Sequence, residues 1–99
     1  MDLKKYKFLD KLAALSWVEQ IWLFGSRARG DGQARADIDI AILCPQASIK
    51  DWSNLMQIID DADTLLCIDC VRIDDLENNS ELRKAIIKEG VLLYEKPKN

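Results

Sequence analysis

Histidine is absent from the 99-residue chain, and that absence excludes more than any other feature of its composition. Ser-His-Asp and Cys-His catalysis, histidine general bases and His-rich zinc sites all need an imidazole. Any chemistry must therefore run on carboxylates, hydroxyls, backbone groups and bound metal. Long hydrophobic runs are missing too. Runs such as "IWLF" and "TLLCI" fall far short of the roughly 20 residues of a membrane span. The opening "MDLKKYKFLDK" has no signal-peptide core. There is no basic block and the net charge is −3, which argues against a dedicated nucleic-acid binder. Three cysteines without a secretion signal fit a reducing cytoplasm, the expected location. The chain's length, with 48% hydrophobic and 31% charged residues, points to one folded soluble domain over 1–99. That length leaves no room for a separate substrate domain.

Periodicity organises the chain. Tyr6, Leu9, Leu12 and Ala13 recur at helical spacing, predicting a helix over residues 2–15. "VEQIWLF" reads as a strand stopped by Gly25. Ser26 to Arg29 fits one helical turn, and "GDGQ" a loop. From Asp37 to Ile42 apolar and polar residues alternate, the period of a strand, which Pro45 closes. Trp52, Leu55, Met56 and Ile59 predict a helix over 48–62 with Ser48 as its N-cap. "TLLCIDCVRI" predicts a third strand, and Leu82, Ala85 and Ile86 a helix over 75–89 with Gly90 as its C′ residue. "VLLYE" predicts a last strand. The order implies an α/β (α+β) domain: a small mixed sheet with helices packed on one side. Cys67 and Cys70 form C-x-x-C, but residues three apart on a strand face opposite ways and no second pair completes a zinc site, so both are expected in the core. Of Trp17, Trp22 and Trp52, at least two are expected there as well.

The acids carry the chemistry. On a strand, Asp37 and Asp39 share one face, about 6.5–7 Å apart, while Ile38, Ile40 and Ile42 enter the core. An isolated D-x-D reads first as a solvated strand face. Asp69 changes that, because it lies in another apolar strand, and beside the first strand it would join the pair. Three carboxylates on neighbouring core strands suit Mg²⁺ together with phosphate oxygens. Gly25 lets a group approach the backbone closely, and the amides after it favour an anion. Ser26 adds a hydroxyl, and Arg27 and Arg29 add charge, though Arg27 equally suits solvent. Neither a Walker A loop nor G-x-G-x-x-G is present.

The stretch "GSRARGDGQARADIDIAI" resembles the G-S-x-A-R-G…D-x-D signature of the polymerase β-like nucleotidyltransferases. Its length and layout are similar to the minimal nucleotidyltransferase (MNT) branch, with Asp69 and "IIKEGVLLYE" in the expected order. The resemblance implies the nucleotidyltransferase fold, with Gly25, Ser26 and Arg29 at the nucleotide. It implies Asp37, Asp39 and Asp69 as catalytic residues and ligands of two Mg²⁺ ions, with ATP as substrate. Asp69 would also serve as base or orienting group for the attacking hydroxyl. It further implies transfer of AMP to a hydroxyl, expected to be tyrosine, of a helical HEPN-type toxin. The chain would be that toxin's antitoxin within a hetero-oligomer, binding neither nucleic acid nor membrane. Ala36 departs from the Ser or Thr that often precedes the first acid. The alternatives are a non-catalytic module that neutralises its partner by occlusion, a nucleotidyltransferase with a small-molecule acceptor, and a metal-dependent nuclease.

Overall fold

The computed structural model describes residues 6–25, 28, 37–64 and 67–97. The elements run α1 (Lys7–Ala13), β1 (Gln20–Phe24), β2 (Ile38–Leu43), α2 (Ile49–Asp60), β3 (Ile68–Arg72), a 3₁₀ turn (Ile73–Asp75), α3 (Glu81–Glu89) and β4 (Val91–Glu95). They build a four-stranded sheet in the order β3-β2-β1-β4. β1 pairs antiparallel with β2 and β4, whereas β2 and β3 are parallel. A parallel pair needs a crossover, and α2 provides it. The result is the expected mixed α+β sheet. Among the described residues no helix is long and apolar enough to cross a membrane.

Alternation along the central strands creates two apolar layers. Ile21, Leu23, Ile38, Ile40 and Ile42 point to the face covered by Phe8 and Leu12 of α1 and Leu55 and Ile59 of α2. Ile38, Ile40 and Ile42 are fully buried, each burial favourable by about 1.5–3 kcal/mol. Trp22, Phe24, Ala41 and Val71 point the other way, and there Ile73 and Ile86 close a second, smaller cluster. The expected one-sided layering is thus corrected by one helix: α3 lies opposite α1 and α2. The reason is visible in its sequence. Of Leu82, Ala85 and Ile86, only Ile86 is buried, so a narrow stripe suffices for a cluster centred on the small Ala41.

Local signals explain the helix ends. Ser48 accepts from the Asp51 amide and Asp51 accepts from the Ser48 amide, each at 3.0 Å, forming a capping box. Such a cap is worth about 1 kcal/mol. α1 lacks a side-chain cap of its own; Asp63, just beyond α2, accepts from the Lys7 amide at 3.3 Å instead. α3 starts later than its predicted residue 75, because residues 73–75 form the 3₁₀ turn and Ser80 caps the helix by accepting from the Arg83 amide at 3.1 Å. Asp74 in that turn is otherwise engaged, accepting from the Cys44 amide at 2.7 Å. Arg72 donates to the carbonyls of Cys44 (2.9 Å) and Ala47 (3.1 Å), tying β3 to the end of β2.

Gly90 corrects a second expectation. Its φ of −71° and ψ of 158° are extended, so no left-handed cap calls for glycine there. Space does. A Cβ would collide with the Ile86 carbonyl and lie 3.2 Å from both the Leu23 carbonyl and Trp22 Cε3. Gly90→Ala should therefore cost about 1–3 kcal/mol by overpacking, read as a lower urea midpoint with an unchanged slope.

Candidate active site

The end of the sheet where β1 finishes and β2 begins gathers the acids and Gly25. The parallel register sets Asp39 directly beside Asp69, on strands about 4.8 Å apart. Both point to the face that also carries Ala41 and Val71, away from the main core. Asp37 stands one residue before β2, and the Ile38 amide extends the ladder by donating to the Cys67 carbonyl at 2.9 Å. Asp37 and Asp69 are exposed and Asp39 is half-buried. The isoleucines between them anchor the strand from behind, so the backbone beneath these carboxylates is held by core packing.

From the other side the antiparallel register brings Phe24 opposite Asp39, and Gly25 follows with a φ of +77°. That conformation suits glycine. The reason for the close approach is concrete: a Cβ on Gly25 would strike the Asp39 Oδ2 atom and lie 3.2 Å from its Cγ. This relation was missed in the sequence, where Gly25 signalled only an approaching phosphate. A register between β1 and β2 would have exposed it, but the strands lie too far apart in the sequence for a short hairpin turn to set one. Ser26, Arg27 and Arg29 lie outside the described residues. Ala28, within the predicted helical turn, is helical and packs against the main core.

The donor set is all hard oxygen. Among the described residues no three His, Cys, Asp or Glu side chains converge on one point. The expected joining of Asp37, Asp39 and Asp69 into one three-carboxylate cluster is thus not seen; the register brings Asp39 and Asp69 together and leaves an open face. Such openness fits Mg²⁺, which is held by one or two carboxylates and keeps its other positions for water and phosphate oxygens.

The cysteines differ from expectation in one member. Cys44 is buried and Cys70 half-buried, but Cys67 is exposed, because it precedes β3 and lies beyond the covered part of the sheet. Burial pushes the Cys70 thiol up to about 12 and the Cys44 thiol up to about 11. Both groups stay protonated at pH 8, and the thiolate is the reactive form. One fast equivalent of Ellman's reagent is therefore expected from Cys67 in the folded protein, and three equivalents in urea. Trp17, Trp22 and Trp52 are all half-buried; Trp17 and Trp52 pack on the main core, and Trp22 lies in the second cluster.

The family model "Polymerase beta, Nucleotidyltransferase" matches residues 7–99. No curated protein sequence matches the chain. Among solved structures, a toxin–antitoxin with AMP-PNP superposes with a TM-score of 0.67 at 23% identity, over 91% of this chain and 69% of that one. A putative nucleotidyltransferase from Sulfolobus solfataricus gives 0.58 at 22% identity, over 91% and 76%. A tri-AMPylated Shewanella oneidensis HEPN toxin in complex with MNT antitoxin gives 0.59 at 21% identity, over 91% and 66%. At these identities the likeness speaks to the fold alone.

Proposed function

Since the chain belongs to the polymerase beta nucleotidyltransferase family, we propose that it moves AMP from ATP to a hydroxyl of a helical HEPN-type partner and acts as the antitoxin of that pair. The observation that carries this reading is the register of Asp39 beside Asp69, with Gly25 left-handed against the Asp39 carboxylate. Binding alone does not require such an arrangement. The toxin–antitoxin neighbours, one holding AMP-PNP and one an AMPylated toxin, support the choice of nucleotide and acceptor. In this reading the 99 residues act as one minimal unit, in the cytoplasm, where three free thiols persist.

The roles are those that membership of the family implies for these residues. Asp37 and Asp39 would hold two Mg²⁺ ions, with Asp69 on one of them and orienting the acceptor hydroxyl. Gly25, Ser26 and Arg29 would hold the triphosphate. Bound Mg²⁺ supplies a lowered hydroxyl pKa and offsets charge developing at the α-phosphorus. Pyrophosphate leaves in line as the new P–O bond forms.

The test is labelling of a co-expressed HEPN-type protein with Mg²⁺ and ATP carrying label at the α- or γ-phosphate. Label retained from the α-position alone is the expected result. Retention from the γ-position would mean phosphoryl transfer. A partner neutralised without any labelling would leave only occlusion.

A further inference from the structure

The outer side of α3 forms a groove of about 450 Å³, lined by Asn78, Arg83, Lys84, Ile87 and Lys88. At 100° per residue the four helical members fall within an arc of about 140°. Ile87, 55% exposed, supplies an apolar floor. Arg83 is fixed at one edge by donating to the carbonyls of Leu76 (3.1 Å) and Ile73 (3.5 Å). Both contacts are with neutral oxygens, so its charge still projects into the groove. Glu81 and Glu89 share the helix, yet among the described residues no carboxylate lines the groove. Three cations therefore ring an apolar residue on a chain whose net charge is −3.

We propose that this groove docks an acidic amphipathic segment of the acceptor protein, with an apolar side chain on Ile87 and carboxylates facing Arg83, Lys84 and Lys88. The inference rests on the reading that the acceptor is a protein. Charge complementarity selects the occupant, since cations around an apolar floor match a helix face of mixed acidic and apolar residues. A nucleic acid would match the cations but leave Ile87 without an apolar partner, and would meet the net negative charge elsewhere. Position adds a reason. α3 lies on the same sheet face as Asp39 and Asp69, and Gly90 at its C-terminal end lies against Leu23, next to Phe24, the register partner of Asp39.

The probes are a fluorescein-labelled amphipathic peptide with leucines on one face and glutamates on the other, its lysine counterpart, and a single-stranded RNA. Anisotropy against the full chain should show binding of the acidic peptide only, weakening with salt. Lys84→Glu with Lys88→Glu should weaken it about tenfold or more, and Ile87→Asp should do likewise. Should the charge reversal disturb folding, Lys84→Gln with Lys88→Gln gives the same comparison with a smaller loss. No binding of the acidic peptide, equal affinity for the variants, or preference for RNA would overturn the inference. Asp39→Asn should leave peptide binding intact. Docking kept without AMP transfer therefore refutes the transfer reading alone, and transfer insensitive to the Lys84 and Lys88 changes refutes the groove alone.

Discussion

Asp39→Asn is expected to lower AMP transfer by about 10³-fold or more while leaving the fold nearly unchanged. Asn keeps the size of the side chain but removes the negative charge that would hold a divalent ion. Asp39 sits between Ile38 and Ile40, which carry the core contacts of β2, so packing does not depend on its carboxylate. Asp37 and Asp69, the register partner of residue 39, keep their carboxylates, but the site loses one of the three that would position two ions and a hydroxyl together. The readout is transfer of α-labelled AMP beside a urea melt. A variant keeping transfer within about tenfold of the parent would remove Asp39 from the metal site.

Gly25→Ala should strike stability and activity together. Its φ of +77° disfavours any L side chain, and the new methyl would meet the Asp39 carboxylate. Strain of this kind costs about 1–3 kcal/mol. Displacement of Asp39 adds a catalytic loss, since an error of about 1 Å in a reacting group can cost about 10²-fold. The two causes separate in a double-mutant cycle. If the collision dominates, Asp39→Ala should recover part of the stability lost in Gly25→Ala, a favourable coupling between the two sites. If backbone strain alone is responsible, the two losses should add.

The central strands were legible because burial imposes a period. The alternation of Ile38, Ile40 and Ile42 with Asp37 and Asp39 defined β2 and its two faces, and "VLLYE" coincides with β4. The capping box at Ser48 was half legible: its N-cap followed from residue type, while the return bond from Asp51 needed coordinates. Helix layering was not legible, because Leu82, Ala85 and Ile86 form a helical stripe whichever face it covers. Only the pairing of Ile86 with Ala41 decides. The 3₁₀ turn escaped for another reason: Asp74 is recruited by the Cys44 amide, a contact across thirty positions that no local pattern encodes. For the site, residue types gave the three acids, and the parallel register showed which two stand side by side, Asp39 and Asp69. The basic groove shows in sequence as Arg83, Lys84, Ile87 and Lys88 at helical spacing, but that no acid lines it among the described residues is a property of the fold.

Among the described residues β3 is an edge strand, with β2 on one side only, whereas β2 is flanked on both. Local opening draws on the least supported elements first. Detachment of β3 would carry Asp69 away and leave Asp37, Asp39 and Gly25 where they are. The site thus has a fixed half and a half whose presence depends on a sub-global equilibrium. Amide hydrogen exchange should reveal this as faster exchange in Ile68–Arg72 than in Ile38–Leu43. Whatever ligand bridges Asp39 to Asp69 should slow the first group toward the second.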